Sequence, residues 1–259
     1  MAVHAWQDLK TTDFNNVNDQ ATIAMLPISA TEQHGPHLPV GTDAMILNAV
    51  LDALASQPTA DLDLWVLPHQ CIGESTEHLS FPGTLSFDAD LLLRIWFNIA
   101  AAAHRSGVRK LLIVNSHGGQ GSLAEVVALQ ARQRLGMVAV VANTYRLGEP
   151  EGLIGAAEKR FGLHGGCIET SIMLACRPTL VGRSKMADFP SEETSLVERS
   201  ERLSHVGDVR LSWLAEDLNP AGVTGDAAGA TPDLGHALLA HMVSALIAIV
   251  RDMRALPLP

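Results

Sequence analysis

The amino-acid sequence predicts an α/β fold, and three observations predict it. Short aliphatic or β-branched runs alternate with longer helical patterns, as in parallel strands joined by crossover helices. The first strong run, 22–29 (TIAMLPIS), is apolar on both faces, as expected in the middle of a sheet covered on two sides. With 259 residues, 47% hydrophobic and 18% charged, the chain is too apolar for disorder and long enough to bury a sizeable core. Residues 1–259 read as one domain.

In chain order, strands are expected at 22–29, 64–67, 110–115 and 137–142, each bounded by Pro, Gly, Asn or charged residues. Helices are expected at 43–56, 88–106, 122–135, 167–175 and 234–255. Gly107 and Gly136 supply the stop for two of them. Segment 184–219 is mixed and charged. The Gly-, Ala- and Pro-rich segment 220–232 (PAGVTGDAAGATP) is expected to be a loop that approaches a site or a neighbouring subunit. There is no solenoid-period repeat and no low-complexity tract.

Composition narrows the partners. A net charge of -10 without any basic run argues against nucleic acid. Segment 1–10 has polar residues where an export signal needs an apolar core. The greasiest stretch, 237–250, is shorter than the roughly 20 residues that span a bilayer and contains His241, so no membrane anchor is expected. Cys71, Cys167 and Cys176 form no C-x-x-C, which argues against a disulfide scaffold or a thiolate zinc site and fits a reducing cytoplasm.

The chemistry gathers where strands end. After the first strand, Thr31-Glu32-Gln33-His34-Gly35-Pro36-His37 places a carboxylate and an imidazole two positions apart, on one side of an extended chain. Asp43 follows after eight intervening residues, behind a Gly41-Thr42 turn that can return its carboxylate to the same point. Such a donor set suits zinc, manganese or ferrous iron. Each acid alone reads equally as a loop acid or a helix N-terminal acid, but three donors at the carboxyl end of a strand favour a metal. His37, beyond Gly-Pro, is expected to support the loop rather than ligate.

A second cluster, Asn115-Ser116-His117-Gly118-Gly119-Gln120, brings His117 to the same sheet edge as a further ligand. Gly118 and Gly119 can let backbone N–H groups approach a bound group. The third, His164-Gly165-Gly166-Cys167-Ile168-Glu169-Thr170-Ser171, opens a helix. There Glu169 is either a metal ligand or dipole compensation, and Cys167 reads as packing. Glu74, Glu77 and His78 could reach the pocket, and a solvated loop explains them at least as well.

Taken together with Phe81-Pro82-Gly83-Thr84 and Gly222-Val223-x-Gly225-Asp226, these motifs resemble the creatininase (creatinine amidohydrolase) family, in order from about residue 20 to the C-terminal helix. The resemblance implies a three-layer α/β/α sandwich with a mostly parallel sheet, a two-metal site (Zn2+ and/or Mn2+, or Fe2+) and a homo-oligomer, often a hexamer. It implies that Glu32, Asp43 and His117 hold one metal and that His34 and Asp43 hold the other, with His164 facing the substrate and Ser75 in a pocket-lining loop.

Two departures qualify the resemblance. Members acting on creatinine have an acidic ligand two positions after the strand-end histidine, where this chain has Gly119, so Glu169 is assigned the vacant ligand place. Such members also clamp a flat substrate with tryptophans near the third motif, whereas Trp6, Trp65, Trp96 and Trp213 lie elsewhere, which argues against creatinine. Other branches open formamides or cyclitol-like rings, or trim small peptides.

The expected reaction is attack of a metal-bound hydroxide on the carbonyl of a small-molecule, non-peptide amide, cyclic or formamide-like. Gly118 or Gly119 N–H groups would steady the oxyanion, and His164 would pass a proton to the leaving nitrogen. A serine hydrolase fails for want of a Gly-x-Ser-x-Gly elbow, and a dinucleotide enzyme for want of Gly-x-Gly-x-x-Gly. A non-catalytic metal- or ligand-binding protein is the rival from another class.

Overall fold

The computed structural model describes residues 3–58 and 61–259. Met1 and Ala2, at the start of the segment read for an export signal, lie outside the described residues, as do Thr59 and Ala60. The central sheet holds β1 (Val3–Ala5), β2 (Ile23–Ile28), β3 (Leu64–Val66), β4 (Lys110–Asn115) and β5 (Val138–Asn143), in the order β1-β3-β2-β4-β5. All its pairings are parallel. The four expected strands lie within one residue of their expected ends, and β1 is an addition at the edge. Three residues are too few for a period-two pattern to announce a strand.

The expected helices are α1 (Thr42–Ala55), α2 (Ala89–Arg105), α3 (Gly121–Leu135), α5 (Cys167–Cys176) and α8 (Pro232–Ala255), with the short α4 (Ala156–Phe161), α6 (Glu192–Arg199) and α7 (Ala215–Leu218) between them. Gly136 ends α3 in the left-handed conformation, φ 66°, its N–H bonded to the Ala131 carbonyl, as a glycine stop should. The mixed segment resolves into α6, α7 and three two-residue strands, β6 (Asp188–Phe189), β7 (Leu203–Ser204) and β8 (Val209–Arg210). The segment expected to be all loop carries β9 (Gly225–Asp226), paired antiparallel with β6.

Alternation across β2 and β4 builds two cores. Ile23, Met25, Leu112 and Val114 pack with Leu47, Met173 and Leu246 beneath α1, α5 and α8. Ala24, Leu26, Leu111 and Ile113 pack with Leu92, Trp96 and Val127 beneath α2 and α3. Both faces are therefore dry, which is why neither strand shows polar alternation. The chain is a three-layer α/β/α sandwich.

Helix α8 corrects one expectation. It runs 24 residues, well beyond the apolar stretch 237–250, and by length and composition alone could cross a membrane. Its Leu238, Met242, Leu246 and Val250 are buried in the core shared with α1 and α5, so one face of the helix packs inside the fold.

Gly235 sets how closely α8 approaches α5: a Cβ there would stand 1.9 Å from the Ser171 carbonyl oxygen. Because backbone rather than a flexible side chain blocks the space, Gly235→Ala should destabilise the fold by about 3 kcal/mol, the upper end for overpacking. Urea unfolding checks this, and an unchanged midpoint would show that the two helices can separate freely.

Candidate metal centre

The centre is assembled where β2 and β4 end. Their register pairs Ile28 with Asn115, so the loops that follow leave the sheet side by side. After β2 the chain doubles back: the Glu32 N–H donates to the Val40 carbonyl at 2.8 Å, and the Thr42 N–H to Pro39 at 3.1 Å. That turn opens α1 and puts Asp43 in its first turn. After β4, the Asn115 amide donates to the His117 carbonyl at 2.7 Å and to Asn143 Oδ1 at 2.9 Å, and its own oxygen accepts from the His117 N–H at 3.1 Å. The turn carrying His117 is thereby fixed.

Glu32 and Asp43 are buried to 0% and 2% exposure. His117 Nδ1 lies 3.1 Å from Glu32 Oε1 and 3.5 Å from Asp43 Oδ2. On the other side of Asp43, His34 Nε2 lies 3.2 Å from Oδ1 and 3.9 Å from Glu169 Oε1. His164 Nδ1 is 3.7 Å from Glu32 Oε1. Both Glu32 oxygens, Asp43 Oδ2 and His34 Nε2 lack a well-formed hydrogen bond among the described residues. Buried polar atoms left so are the mark of a site shaped for a bound group.

Each of these imidazoles has its outer nitrogen tied to a backbone carbonyl: His34 Nδ1 to Glu32 at 3.0 Å, His117 Nε2 to Glu74 at 2.8 Å and His164 Nε2 to Gln33 at 2.8 Å. A carbonyl only accepts, so these nitrogens carry the protons and the inner ones face the carboxylates. Among the described residues, Glu32, Asp43 and His117 form one group able to hold a metal ion, and His34, Asp43 and Glu169 form another.

Charge is tightly balanced here. Burial and the Glu32 carboxylate push Asp43 up to about 6. Burial would lower His117, but Glu32 and Asp43 outweigh it and raise the ring to about 10. His34 is likewise held well above its ordinary value, burial being overcome by Asp43 and Glu169. His164 goes the other way, to about 4, through burial and the nearby His34, and is therefore neutral at pH 7. Glu169 is held low: burial opposes this, and His34 and His164 prevail.

The sequence-predicted residues divide as follows. Glu32, His34, Asp43, His117, His164 and Glu169 come together. Gly118 borders open space, while a Cβ at Gly119 would strike Glu77 and the His117 ring. Ser75 is buried within its loop, its N–H bonded to Ser86 Oγ and its carbonyl to the His78 N–H. His37 supports the loop, its Nε2 within hydrogen-bond reach of Thr170 Oγ1 and the Gly165 carbonyl.

The solvated-loop reading of Glu77 and His78 is overturned. His78 is buried, stacks on His164 with centroids 4.4 Å apart and lies 3.6 Å from Glu32 Oε1. Burial and His164 lower it to about 3. Gln33 went unnoticed: its amide nitrogen lies 2.8 Å from His78 Nδ1 and donates to the Gly222 carbonyl at 2.6 Å. That bond also brings 220–232 to the centre, as expected of that segment.

A parallel sheet between helical layers, with buried imidazoles and carboxylates at its carboxyl edge, defines an α/β protein with a candidate metal centre. The family described as creatinine amidohydrolase matches residues 7–250, and the chain belongs to this creatininase family. It is 29% identical over 239 residues to a mycofactocin precursor peptide peptidase of Mycolicibacterium smegmatis, covering 91% of this chain and 87% of that one. It is 30% identical over 192 residues to a creatinine amidohydrolase of Pseudomonas putida, covering 65% and 69%. A solved mutant creatininase of Zn-Zn type shares the fold with a TM-score of 0.76 at 24% identity, over 96% and 98% of the two chains. Family membership makes the chain an amidohydrolase-type enzyme.

Divalent cations and protons should compete at this centre. His34 and His117 hold protons at neutral pH without a metal, and a metal needs their lone pairs. Zinc uptake near pH 7 should release about two protons per chain and weaken as pH falls. Calorimetry in buffers of different ionisation enthalpy measures this; uptake without proton release would contradict it.

Proposed function

We propose that the chain hydrolyses an amide C–N bond at a centre of two divalent cations, zinc or manganese. Glu32, Asp43 and His117 would hold one cation, and His34, Asp43 and Glu169 the other, with one Asp43 oxygen facing each side. The observation that carries this is the locking of three imidazoles by backbone carbonyls, their inner nitrogens facing the Glu32 and Asp43 carboxylates, of which both Glu32 oxygens and Asp43 Oδ2 lack partners among the described residues. Carboxylates and imidazoles without thiolates are a donor set suited to either metal. Solved creatininases of Zn-Zn type and with manganese share the fold.

Cations bound here would supply Lewis acidity, lowering the pKa of a water from about 15.7 toward 7 and polarising the carbonyl. The chain's own groups do the rest. His164, neutral and with Nε2–H tied to Gln33, presents Nδ1 as the base that takes the attacking water's proton and returns it to the leaving nitrogen. Gly118, bordering open space, leaves its backbone approachable by a developing oxyanion. Substrate would enter over Glu169, Glu77 and His164, whose side chains keep 25%, 15% and 12% exposure.

The substrate is a small amide. A second reading, the amide of a short peptide, is favoured by a cavity of about 310 Å³ beside His34, walled by Leu38, Val40, Phe81, Pro82 and Ala221. Such walls accept an apolar side chain, and a relative matched over most of both lengths is a peptide peptidase. The same proposal includes a homo-oligomer, hexameric, in the cytoplasm. The three free cysteines and the exposed Leu203, Val209, Leu211 and Leu214 are compatible with both.

The test is elemental analysis of the purified protein, with turnover of creatinine, lactams, formamides and short peptides before and after chelation. Turnover lost on chelation and restored by zinc or manganese is expected. Activity surviving complete metal removal would overturn the proposal, and full occupancy without turnover of any amide would favour a binding protein. Glu169→Gln should empty or weaken one site only; two filled sites in that variant would refute its assigned place.

A further inference from the structure

Glu77 has no part in the assignment above, yet it is built into the centre. It lies on the turn Thr76–His78 beyond β3, with Oε1 3.7 Å from His117 Nε2. A Cβ on residue 119 would lie 2.3 Å from that oxygen and 2.7 Å from the same ring nitrogen. Gly119 is not in the left-handed region, so its backbone conformation does not require glycine. What requires glycine is space: any side chain at 119 would displace the Glu77 carboxylate or the His117 ring.

The placement has a chemical consequence. His117 can offer Nδ1 to a cation beside Glu32 and Asp43 only with its proton on Nε2. That Nε2–H is directed at the Glu74 carbonyl, and Glu77 stands on the same side from the same loop. The Glu74 carbonyl fixes the tautomer, and a carboxyl group standing beside the outer N–H of a ligating imidazole restrains the ring's tilt and strengthens the inner nitrogen as a donor.

We infer that Glu77 is a positioning residue for His117, acting through the space left by Gly119, and that it tunes the cation site of Glu32, Asp43 and His117 alone. The inference rests on the metal-centre reading. A carboxylate reaching the centre from residue 77 leaves 118–119 without side chains and keeps that flank open toward substrate.

The experiment is titration of metal-free protein with zinc against a chromophoric chelator, wild type first. Glu77→Gln should weaken one of two zinc sites by about 10–100-fold and leave the other unchanged. Glu77→Ala should give the same one-site loss. The unfolding midpoint of the metal-free protein should stay at the wild-type value in Glu77→Gln. Two wild-type affinities in Glu77→Gln would overturn the inference. So would equal weakening of both sites with a lowered midpoint, the signature of a loop that merely packs. Wild-type protein that takes up no zinc would instead sink the metal-centre reading, and this inference with it.

Discussion

Two carboxylates buried side by side, Glu32 and Asp43, are the constraint that the rest of the site answers. Removing such groups from water costs several kcal/mol each unless an opposite charge or hydrogen bonds compensate. Here burial and the Glu32 charge drive Asp43 toward the protonated form, while Glu32 and Asp43 raise His117, and Asp43 and Glu169 raise His34, so that both rings hold protons. The protonated rings stand in for divalent ions, and exchange of one for the other is the natural equilibrium of the cluster. Parallel pairing of β2 with β4 makes the arrangement possible, because it brings both strand ends level at one edge.

Much of this was legible in the sequence, for identifiable reasons. Strands β2 and β4 are buried on two faces, and their unbroken apolar runs say so. Glu32, His34 and His117 are recognisable because ligand-type residues soon after such runs emerge at the sheet edge, Asp43 because a Gly-Thr turn can return it to the same point, and Glu169 only through the family resemblance. Residues whose place depends on distant partners were not legible. Glu77 and His78 belong to a locally polar loop, and what buries them comes from elsewhere: the gap at Gly119 and the amide of Gln33. Gln33 in turn is held by partners the local sequence does not announce, His78 and the Gly222 carbonyl, the latter 189 positions away. Strand β1 joins the edge through β3 with a pattern too short to read.

The locks on the imidazoles show how the loops govern the chemistry. Two of the three carbonyls, those of Glu32 and Gln33, belong to the loop that also supplies ligand candidates, so its path fixes the tautomers of His34 and His164 together. That path is held from outside. Gly35, at φ 68°, packs so closely on Val223 that a Cβ would stand 2.6 Å from its methyl carbon, and Gly165 presses on the same side chain. The Thr224 N–H donates to the His164 carbonyl at 2.8 Å. Segment 220–232 is therefore a brace on both histidine loops rather than a passive connection.

This division of labour bears on how one fold can serve several substrates. The buried half of the centre is fixed by the sheet and its braces, and nothing in it contacts solvent appreciably. The half that faces outward is made of Gly118, Gly119, His164, Glu169 and the Glu77 loop, none of which the sheet's hydrogen bonding requires. A substitution at Gly118, where a Cβ meets open space, can reshape what enters while leaving the Glu32 and Asp43 pair in place. A chain with two glycines after its strand-end histidine keeps the charge balance of the buried pair and leaves that flank without side chains.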